Sequence, residues 1–299
     1  MASKSKKIAI IAMQPSWKEL DDGKYSRFQE ELKELGYESD ILFFDRFFMS
    51  FGKKMEFYYK EEKFNPYNYA MFLPIVGGNR DASILLEALE KTGIPMKNTP
   101  QATNISKDKT KTMLHLHQAG IPTIPGAVNF SQFFLGPLMN FIGDDEYICK
   151  LREGSMGKGV AYINSRLSLI SVFELIASAS VAPCKILFEK FIKDAAGRDL
   201  RIIVAGGEVV GAMERQSNGF DFRANIWGGG KGKEFKPTKK MKEIAVKSAD
   251  ALGLDYAGVD MVVDKNKPLV VEVNSNPGMQ IEQLTGKNIV GEMIKRIVK

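Results

Sequence analysis

The stretch AGVDMVVDKNKPLVVEVNSNPG, residues 257–278, contains two short apolar runs separated by turn-forming residues. Residues 256–263 and 269–273 are rich in valine and other apolar side chains, as half-buried or buried strands are. The residues between them, 264–268 (DKNKP), have the composition of a tight turn. The pattern predicts a β-hairpin, and the rest of the chain is arranged around this element.

Three side chains with oxygen atoms interrupt this apolar hairpin, namely Asp260, Glu272 and Asn274. Glu272 and Asn274 are two residues apart and project from one face of a strand, and pairing through the turn brings Asp260 near them. Carboxylate and amide oxygens suit Mg²⁺ or Mn²⁺, which usually retain waters and nucleotide phosphate oxygens as well. The hairpin is therefore predicted to be a magnesium site. The alternative is a solvated face that carries three scattered polar residues.

The composition is that of a globular protein with room for two or three domains, since 299 residues include 44% hydrophobic and 26% charged side chains. No apolar run is long enough to span a membrane, so no membrane partner is expected. The two cysteines, Cys149 and Cys184, provide neither a disulfide framework nor a metal-binding spacing. Reduced thiols in a cytoplasmic protein are the expectation.

The net charge of +6 is weak support for nucleic-acid binding, because lysines near the N-terminus supply much of it. No RNP, zinc-finger or basic-helix pattern occurs either, and no nucleic-acid partner is expected. The only histidines, His115 and His117, are two residues apart on a predicted helix. They do not share a helix face, which argues against a zinc pair.

Strands and helices alternate over residues 1–98, which predicts a small doubly wound α/β domain. Residues 99–188 contain a predicted helix at 104–119 and two strands flanking a glycine-rich loop, as in a smaller α+β unit. Residues 189–299 hold a hairpin, a polar loop at 216–233, a helix, the central hairpin and a last amphipathic helix. The predicted fold class is mixed α/β (α+β).

The glycine-rich loop follows a strand that ends at Lys150 and has the sequence REGSMGKG. Gly154, Gly157 and Gly159 allow backbone amides to approach an anion closely, while Lys150 and Lys158 supply positive charge. The loop is not a Walker A motif, and the chain lacks the H-R-D and D-F-G motifs of protein kinases. A flexible structural flap explains the loop equally well by itself. Together with a metal site downstream, a flap that covers phosphates is favoured.

These motifs resemble those of the ATP-grasp ligases, and within that superfamily the chain is most similar to the RimK-type α-L-glutamate ligases. The resemblance covers nearly the whole chain and is firmest from about residue 107 onward. It rests on Lys109, on KLREGSMGKGV at 150–160, EKFI at 189–192, RDLR at 198–201, ER and DFRAN within 214–225, and GVD and VEVNSNPG within 258–278. The resemblance implies a pre-ATP-grasp domain at 1–98 and two ATP-grasp subdomains, at 99–188 and 189–299.

The resemblance also implies a role for each matching position. It places ATP against Lys109, Lys150, Gly154, Ser155, Gly157, Glu189, Lys190, Phe191, Ile192, Asp199, Arg223 and Asn225. Within that set, Lys109 and Lys150 contact phosphates, the backbone of residues 190–192 reads the adenine edge, and Asp199 binds the ribose. Asp260, Glu272 and Asn274 hold the metal, as two Mg²⁺ or Mn²⁺ ions. The alternative for Asp199 is a pair with Arg201 on the same strand face.

One departure concerns the arginine that D-alanine–D-alanine ligases carry two residues before the first metal aspartate. This chain has Gly258 at that position. The positive charge must therefore come from elsewhere, and Arg215 and Arg223 are the candidates. With Asn225 they form the expected catalytic set.

The implied reaction is ATP-dependent ligation of a carboxylate to an amine through an acyl phosphate. The amine is expected to be L-glutamate or another amino acid, and the acceptor a protein C-terminus, a peptide or a small molecule. The resemblance is also compatible with a homo-oligomer. The alternative function is a non-catalytic ATP-binding regulatory protein with the same fold, against which the intact set of metal ligands argues.

Overall fold

The computed structural model describes residues 7–12, 23–75, 80–130, 136–143, 146–154, 159–179, 186–218 and 231–298 of the chain. The strands within these ranges form four sheets, flanked by helices. The mixed α/β architecture predicted from the sequence is thus confirmed. None of the helices in these ranges is both long and apolar enough to cross a membrane.

The first part of the chain contains a parallel sheet with the order β2-β1-β6. Alternate residues of its central strand face opposite ways, with Ile8 and Ile10 packed in the cluster of α1 and Ala9 and Ile11 in that of α2. Helices therefore cover both faces, as in a doubly wound sheet. The elements are β1 (Lys7–Ala12), α1 (Lys24–Glu34), β2 (Glu38–Phe43), β3 (Phe47–Phe51), β4 (Met55–Tyr59), β5 (Glu62–Phe64), β6 (Met71–Ile75) and α2 (Arg80–Glu90).

Strands β3, β4 and β5 form a separate antiparallel sheet that is rich in aromatic residues. Phe57 is buried at its centre, and the rings of Phe47 and Phe64 meet edge to face with centroids 5.1 Å apart. These aromatic side chains pack against α2 and β1, and this packing accounts for the aromatic residues of the short meander that face the core.

The middle part of the chain forms an antiparallel sheet with the order β7-β10-β8-β9. Strands β8 and β9 flank the glycine-rich loop, as predicted. The elements are α3 (Pro100–Lys107), α4 (Lys109–Gln118), β7 (Gly126–Asn129), α5 (Gly136–Ile142), β8 (Tyr147–Leu151), β9 (Val160–Ile163), α6 (Arg166–Ala179) and β10 (Ile186–Lys190).

The single helix predicted at 104–119 is wrong, because the chain breaks into α3 and α4 at Asp108. Asp108 has an extended backbone (φ −91°, ψ 105°), and its side chain accepts hydrogen bonds from the amides of Thr110 and Lys111. An aspartate that caps the second helix in this way interrupts an otherwise helical pattern.

The last part of the chain forms an antiparallel sheet with the order β13-β12-β11-β14-β15. Helix α7 packs on one face of this sheet, and α8 and α9 pack on the other. The elements are β11 (Arg198–Ala205), β12 (Glu208–Gln216), β13 (Lys231–Glu234), α7 (Lys239–Ala251), β14 (Tyr256–Asp264), β15 (Lys267–Asn274), α8 (Gln280–Thr285) and α9 (Ile289–Ile297). The loop predicted at 216–233 ends earlier than expected, because Lys231 already pairs with Gln216.

Two apolar clusters position the central hairpin. One lies between α7 and the sheet and includes Val259, Val270 and Val273, which are fully buried. The other joins α1 and β1 to α9 and to Tyr256, so that the two ends of the chain share a core. The hairpin thus packs on α7 with one face and contacts the first part of the chain through Tyr256.

Candidate functional site

The predicted hairpin is formed by β14 and β15, which pair from Gly258 opposite Asn274 to Asp264 opposite Lys267. Lys265 and Asn266 make the two-residue turn with φ values of 45° and 68°. Positive φ at both central residues is the geometry that follows the twist of a hairpin, and Asn is one of the residues that tolerate it best. Asp260 lies directly opposite Glu272, so the predicted proximity of these carboxylates is confirmed.

A β-bulge determines which side chains of β15 face the site. Met261 pairs with Val270 while Asp260 pairs with Glu272, which leaves Val271 as an extra residue. Val270 and Val273 can both be buried for this reason, although strict alternation would point them to opposite faces. The same bulge leaves Glu272 and Asn274 partly exposed on the site face.

Asp260 is buried and accepts hydrogen bonds from two arginines. Arg201 donates from Nε at 2.8 Å to one oxygen and from a terminal nitrogen at 2.7 Å to the other. A terminal nitrogen of Arg215 lies 3.0 Å from the second oxygen. Burial alone would raise the pKa of the Asp260 carboxyl, but the two guanidinium groups outweigh it and hold the pKa at about 2. Asp260 is therefore ionised at neutral pH, as a metal ligand must be.

Asp199 pairs with Arg215 rather than with Arg201, its alternative partner on the same strand. Both Asp199 oxygens accept hydrogen bonds from Arg215, each at 2.6 Å. The register explains the choice, since Asp199 lies opposite Arg215 on β12 and Arg201 lies opposite Asp260 on β14. Burial alone would lower the pKa of the Arg215 guanidinium, but the nearby carboxylates of Asp260 and Asp199 outweigh this effect and raise that pKa. The result is a cluster of two carboxylates and two guanidinium groups, neutral overall.

Arg201 is a candidate site residue that the sequence suggested only as a partner of Asp199. A Cβ atom added to Gly258 would lie 2.9 Å from Cβ of Pro277 and 3.7 Å from Nε of Arg201. Pro277 therefore lies closest to Gly258, and Arg201 approaches it from the adjacent strand β11. Only the pairing of β11 with β14 brings this arginine to Asp260, and no local sequence signal reveals that pairing.

Lys109 reaches the hairpin from the first turn of α4. Its ammonium lies 3.4 Å from a carboxylate oxygen of Glu272 and donates to the carbonyl of Gly154 at 3.0 Å. The Lys109 side chain is only 12% exposed, so it is not a solvated surface lysine. Helix α4, the end of β8 and the hairpin therefore meet at one side chain.

Lys150 on β8 forms a buried ion pair with Glu189 on the neighbouring strand β10. Glu189 is 2% exposed, and its second carboxylate oxygen, Oε1, has no hydrogen-bond partner among the described residues. A buried acceptor without a donor is costly and indicates a place where a donor from a bound molecule is accommodated.

The linker after β10 has most of its amides engaged within the protein. The amide of Lys190 donates to Pro125 O at 2.8 Å, and the amide of Phe191 donates to Glu146 O at 2.8 Å. In the described part of the chain, the amide of Ile192 has no partner. A backbone that reads an adenine edge at this linker would therefore donate from Ile192.

Four of the predicted site residues, Ser155, Gly157, Arg223 and Asn225, lie outside the described residues, as does Lys158. Their assignments remain predictions. Of the remaining members, Gly154 lies just after β8, Phe191 and Ile192 lie just after β10, and the others lie on β8, β10 to β12, α4 and the central hairpin.

Asp260, Glu272 and Asn274 remain the candidate donor set for a metal. Among the described residues, no group of three or more His, Cys, Asp or Glu side chains is arranged for a metal, so the candidate set depends on the amide of Asn274 as its third member. The side-chain nitrogen Nδ2 of Asn274 donates to a carboxylate oxygen of Asp260 at 3.4 Å. Two ionisable carboxylates and an amide carbonyl, all oxygen donors, match the preference of Mg²⁺, which completes its shell with water and phosphate oxygens. These residues fit the ion that the resemblance implies.

Comparisons with known proteins agree with this geometry. Residues 106–297 match the model of the RimK-like ATP-grasp domain. The chain is 32% identical over 278 residues to the "Probable alpha-L-glutamate ligase" of Aliivibrio fischeri (strain MJ11), which covers 92% of this chain and 91% of that protein. It is 34% identical over 234 residues to the protein of the same name from Coxiella burnetii (strain RSA 493 / Nine Mile phase I), with 77% of each chain covered.

Solved structures show the same fold at low sequence identity. The RimK domain protein ATP-grasp from Sphaerobacter thermophilus DSM 20745 aligns with a TM-score of 0.73 at 17% identity, over 98% of this chain and 100% of that one. The D-alanine–D-alanine ligase from Bacillus anthracis, complexed with ATP, aligns with a TM-score of 0.69 at 17% identity, over 98% and 97% of the two chains. The predicted ATP-grasp fold is confirmed, and the chain belongs to the RimK-like ATP-grasp family.

Proposed function

We propose that the protein is an ATP-dependent carboxylate–amine ligase that forms an amide bond through an acyl phosphate, with L-glutamate as the amine. The observation that carries the proposal is the convergence of Lys109 and Arg201 on the oxygen donors of one hairpin, with Asp260 ionised and Glu272 opposite it. The curated relatives named alpha-L-glutamate ligase support glutamate as the amine substrate. The acceptor carboxylate belongs to a protein C-terminus, a peptide or a small molecule.

The nucleotide lies between the Lys150–Glu189 pair and the hairpin. The unpartnered Glu189 oxygen is suited to accept from the amino group of adenine, and the Ile192 amide is suited to donate to a ring nitrogen. Lys109 and Lys150 contact the phosphates, together with the loop residues Gly154, Ser155 and Gly157. Asp199 binds the ribose while it keeps Arg215 in place.

Asp260, Glu272 and Asn274 would hold Mg²⁺ or Mn²⁺, as two ions. A metal held by these residues would supply positive charge to neutralise the phosphates during in-line transfer. The members of this family use ATP and Mg²⁺, whereas the second ion and the use of Mn²⁺ belong to the proposal.

The chain's own residues supply positioning and charge, so the reaction needs no nucleophilic side chain. In the first step an oxygen of the acceptor carboxylate attacks the γ-phosphorus of ATP, and the bond to the leaving ADP breaks. In the second step the amine attacks the acyl carbon, and phosphate leaves as the amide forms. Arg201, Arg215, Arg223 and Asn225 stabilise the negative charge that develops on the transferred phosphoryl and acyl oxygens.

The domain boundaries near residues 98 and 188 and the location in the cytoplasm are part of this proposal. The thiol of Cys149 is buried and forms no disulfide with a described residue, which is consistent with a reducing compartment. A homo-oligomer is also proposed, with its subunit number to be measured by light scattering.

The test incubates the protein with ATP, Mg²⁺ and single amino acids in the presence of candidate acceptors, and measures ADP release and product mass. Release that depends on glutamate, with a product heavier by one glutamyl unit, is expected. The Asp260→Asn variant should bind nucleotide weakly and release no ADP. Tight ATP binding without amino-acid-dependent ADP release by the wild type would favour the regulatory alternative.

A further inference from the structure

Asp108 makes more contacts than a helix cap requires. One of its carboxylate oxygens accepts from the amides of Thr110 at 2.9 Å and Lys111 at 3.3 Å. Both oxygens also accept from the guanidinium of Arg152, which donates from Nε at 3.2 Å and from a terminal nitrogen. Asp108 is 7% exposed, so this ion pair is largely removed from water. Although burial opposes ionisation, these donors lower the pKa of Asp108.

Arg152 also contacts Lys109, the residue that follows Asp108. Its carbonyl accepts a hydrogen bond from the amide of Lys109 at 2.9 Å. Arg152 directly follows β8, the strand that carries Lys150, and precedes Gly154, whose carbonyl accepts from the Lys109 ammonium. Lys109 is thus fastened by its main chain to Arg152 and by its side chain to Gly154 and Glu272.

We propose that the Asp108–Arg152 ion pair is a positioning device that fixes Lys109, and with it the N-terminus of α4, against the end of β8 so that its ammonium reaches the nucleotide phosphates. This inference rests on the proposed function, because it takes Lys109 to be a phosphate contact. Asp108 and Arg152 are positioning residues and act only through Lys109.

The physical reason lies in the freedom of a lysine side chain. Lysine has four rotatable bonds and a point charge, so a phosphate contact gains little unless the backbone that carries it is fixed. A bidentate arginine–carboxylate pair fixes both distance and orientation between two segments, which a single hydrogen bond does not. The pair joins positions 44 apart in the sequence, and so it ties α4 to β8 where no strand pairing does.

A double-mutant cycle on nucleotide affinity tests the proposal. The full-length protein and the variants Lys109→Met, Arg152→Met and Lys109→Met/Arg152→Met are titrated with ADP in excess magnesium by calorimetry. Each single variant is expected to bind ADP roughly tenfold or more weakly, as loss of a charged contact predicts. Arg152→Met should have no further effect once Lys109 is already methionine.

The variant Asp108→Asn tests the same ion pair from its other partner and should keep the fold. Asparagine still caps α4 but cannot pair with Arg152 as an anion. It should weaken ADP binding as Arg152→Met does, and Arg152→Lys should restore part of the affinity. The exposed Arg166→Met is the matched control and should leave the affinity unchanged.

The two hypotheses fail in different ways. If Lys109→Met binds ADP as tightly as the wild type, the lysine is no phosphate contact and its role in the proposed function is wrong. If Lys109→Met weakens binding but the effects of Lys109→Met and Arg152→Met add in full, the lysine role stands and the positioning role is overturned.

Discussion

In the proposed reaction, Arg201 is the side chain on which the chemistry depends most directly after the proposed metal ligands. It lies beside Gly258 and makes a bidentate contact with Asp260, so its charge is held within the site by the same hydrogen bonds that keep Asp260 ionised. A fixed guanidinium costs no reorganisation when charge develops, which is the condition for strong electrostatic stabilisation.

The variant Arg201→Met should lower kcat by about 10²-fold or more, the range seen when one preorganised donor is removed from an active site. The exposed Arg198→Met on the same strand should retain wild-type kcat. Steady-state ADP release measures both variants. A folded Arg201→Met enzyme with normal kcat would remove this arginine from the reaction.

The depressed pKa of Asp260 also predicts how stability depends on pH. Because its pKa falls from 3.8 to about 2 on folding, ionised Asp260 stabilises the native state fully above about pH 4, and this stabilisation is lost as pH falls toward 2. The contribution is about 2 kcal/mol. Urea unfolding at pH 4 and at pH 2.5 should show a smaller loss of stability in Asp260→Asn than in the wild type. Equal losses in the two proteins would contradict the pKa of Asp260.

Among the elements, the hairpin of β14 and β15 could be predicted from the sequence. The residues from other elements that contact it could not. Its pattern is local, since apolar runs and turn residues lie within about twenty residues, and the proximity of Asp260 to Glu272 followed from that pattern alone. The partner of Asp260 was missed because Arg201 is 59 residues away in the chain and reaches it only through strand order. The break at Asp108 was missed although aspartate is a preferred helix cap, because the ion pair with Arg152 that fixes it there joins residues 44 positions apart.

The turn of this hairpin offers a test of the element by itself. Asn266 has φ of 68°, a conformation that glycine adopts freely and β-branched residues resist. Asn266→Gly should therefore unfold at the wild-type midpoint, whereas Asn266→Val should be less stable by about 1–2 kcal/mol. Thermal unfolding followed by circular dichroism compares them. Equal midpoints for the two variants would show that this turn is not formed as described.

For the entire protein, the main structural fact is that the two ends of the chain share one core. Helix α9 packs on α1, and Asn288 donates to Glu31 at 2.8 Å. Lys24 at the start of α1 donates to Asn276, two residues after the proposed metal ligand Asn274, at 2.6 Å. The fold class and family could be predicted from motif order, but this shared core depends on contacts over more than 250 residues and could not.

Met293 lies at the centre of that shared core and is fully buried. Met293→Ala should cost about 2–5 kcal/mol, as large-to-small substitutions in a core do. Residues 1–98 without the remainder of the chain should not unfold cooperatively, because α9 is missing. Urea denaturation measures both, and Met293→Leu serves as the volume-matched control. A cooperative transition of the 1–98 fragment would show that its core is independent.

The most direct test of the site is a crystal structure of the full-length protein with magnesium and a non-hydrolysable ATP analogue. The metal should lie at about 2.0–2.1 Å from oxygens of Asp260 and Glu272, with Lys109 and Lys150 in contact with the phosphates. A triphosphate bound elsewhere, or a metal remote from both carboxylates, would contradict the central claim.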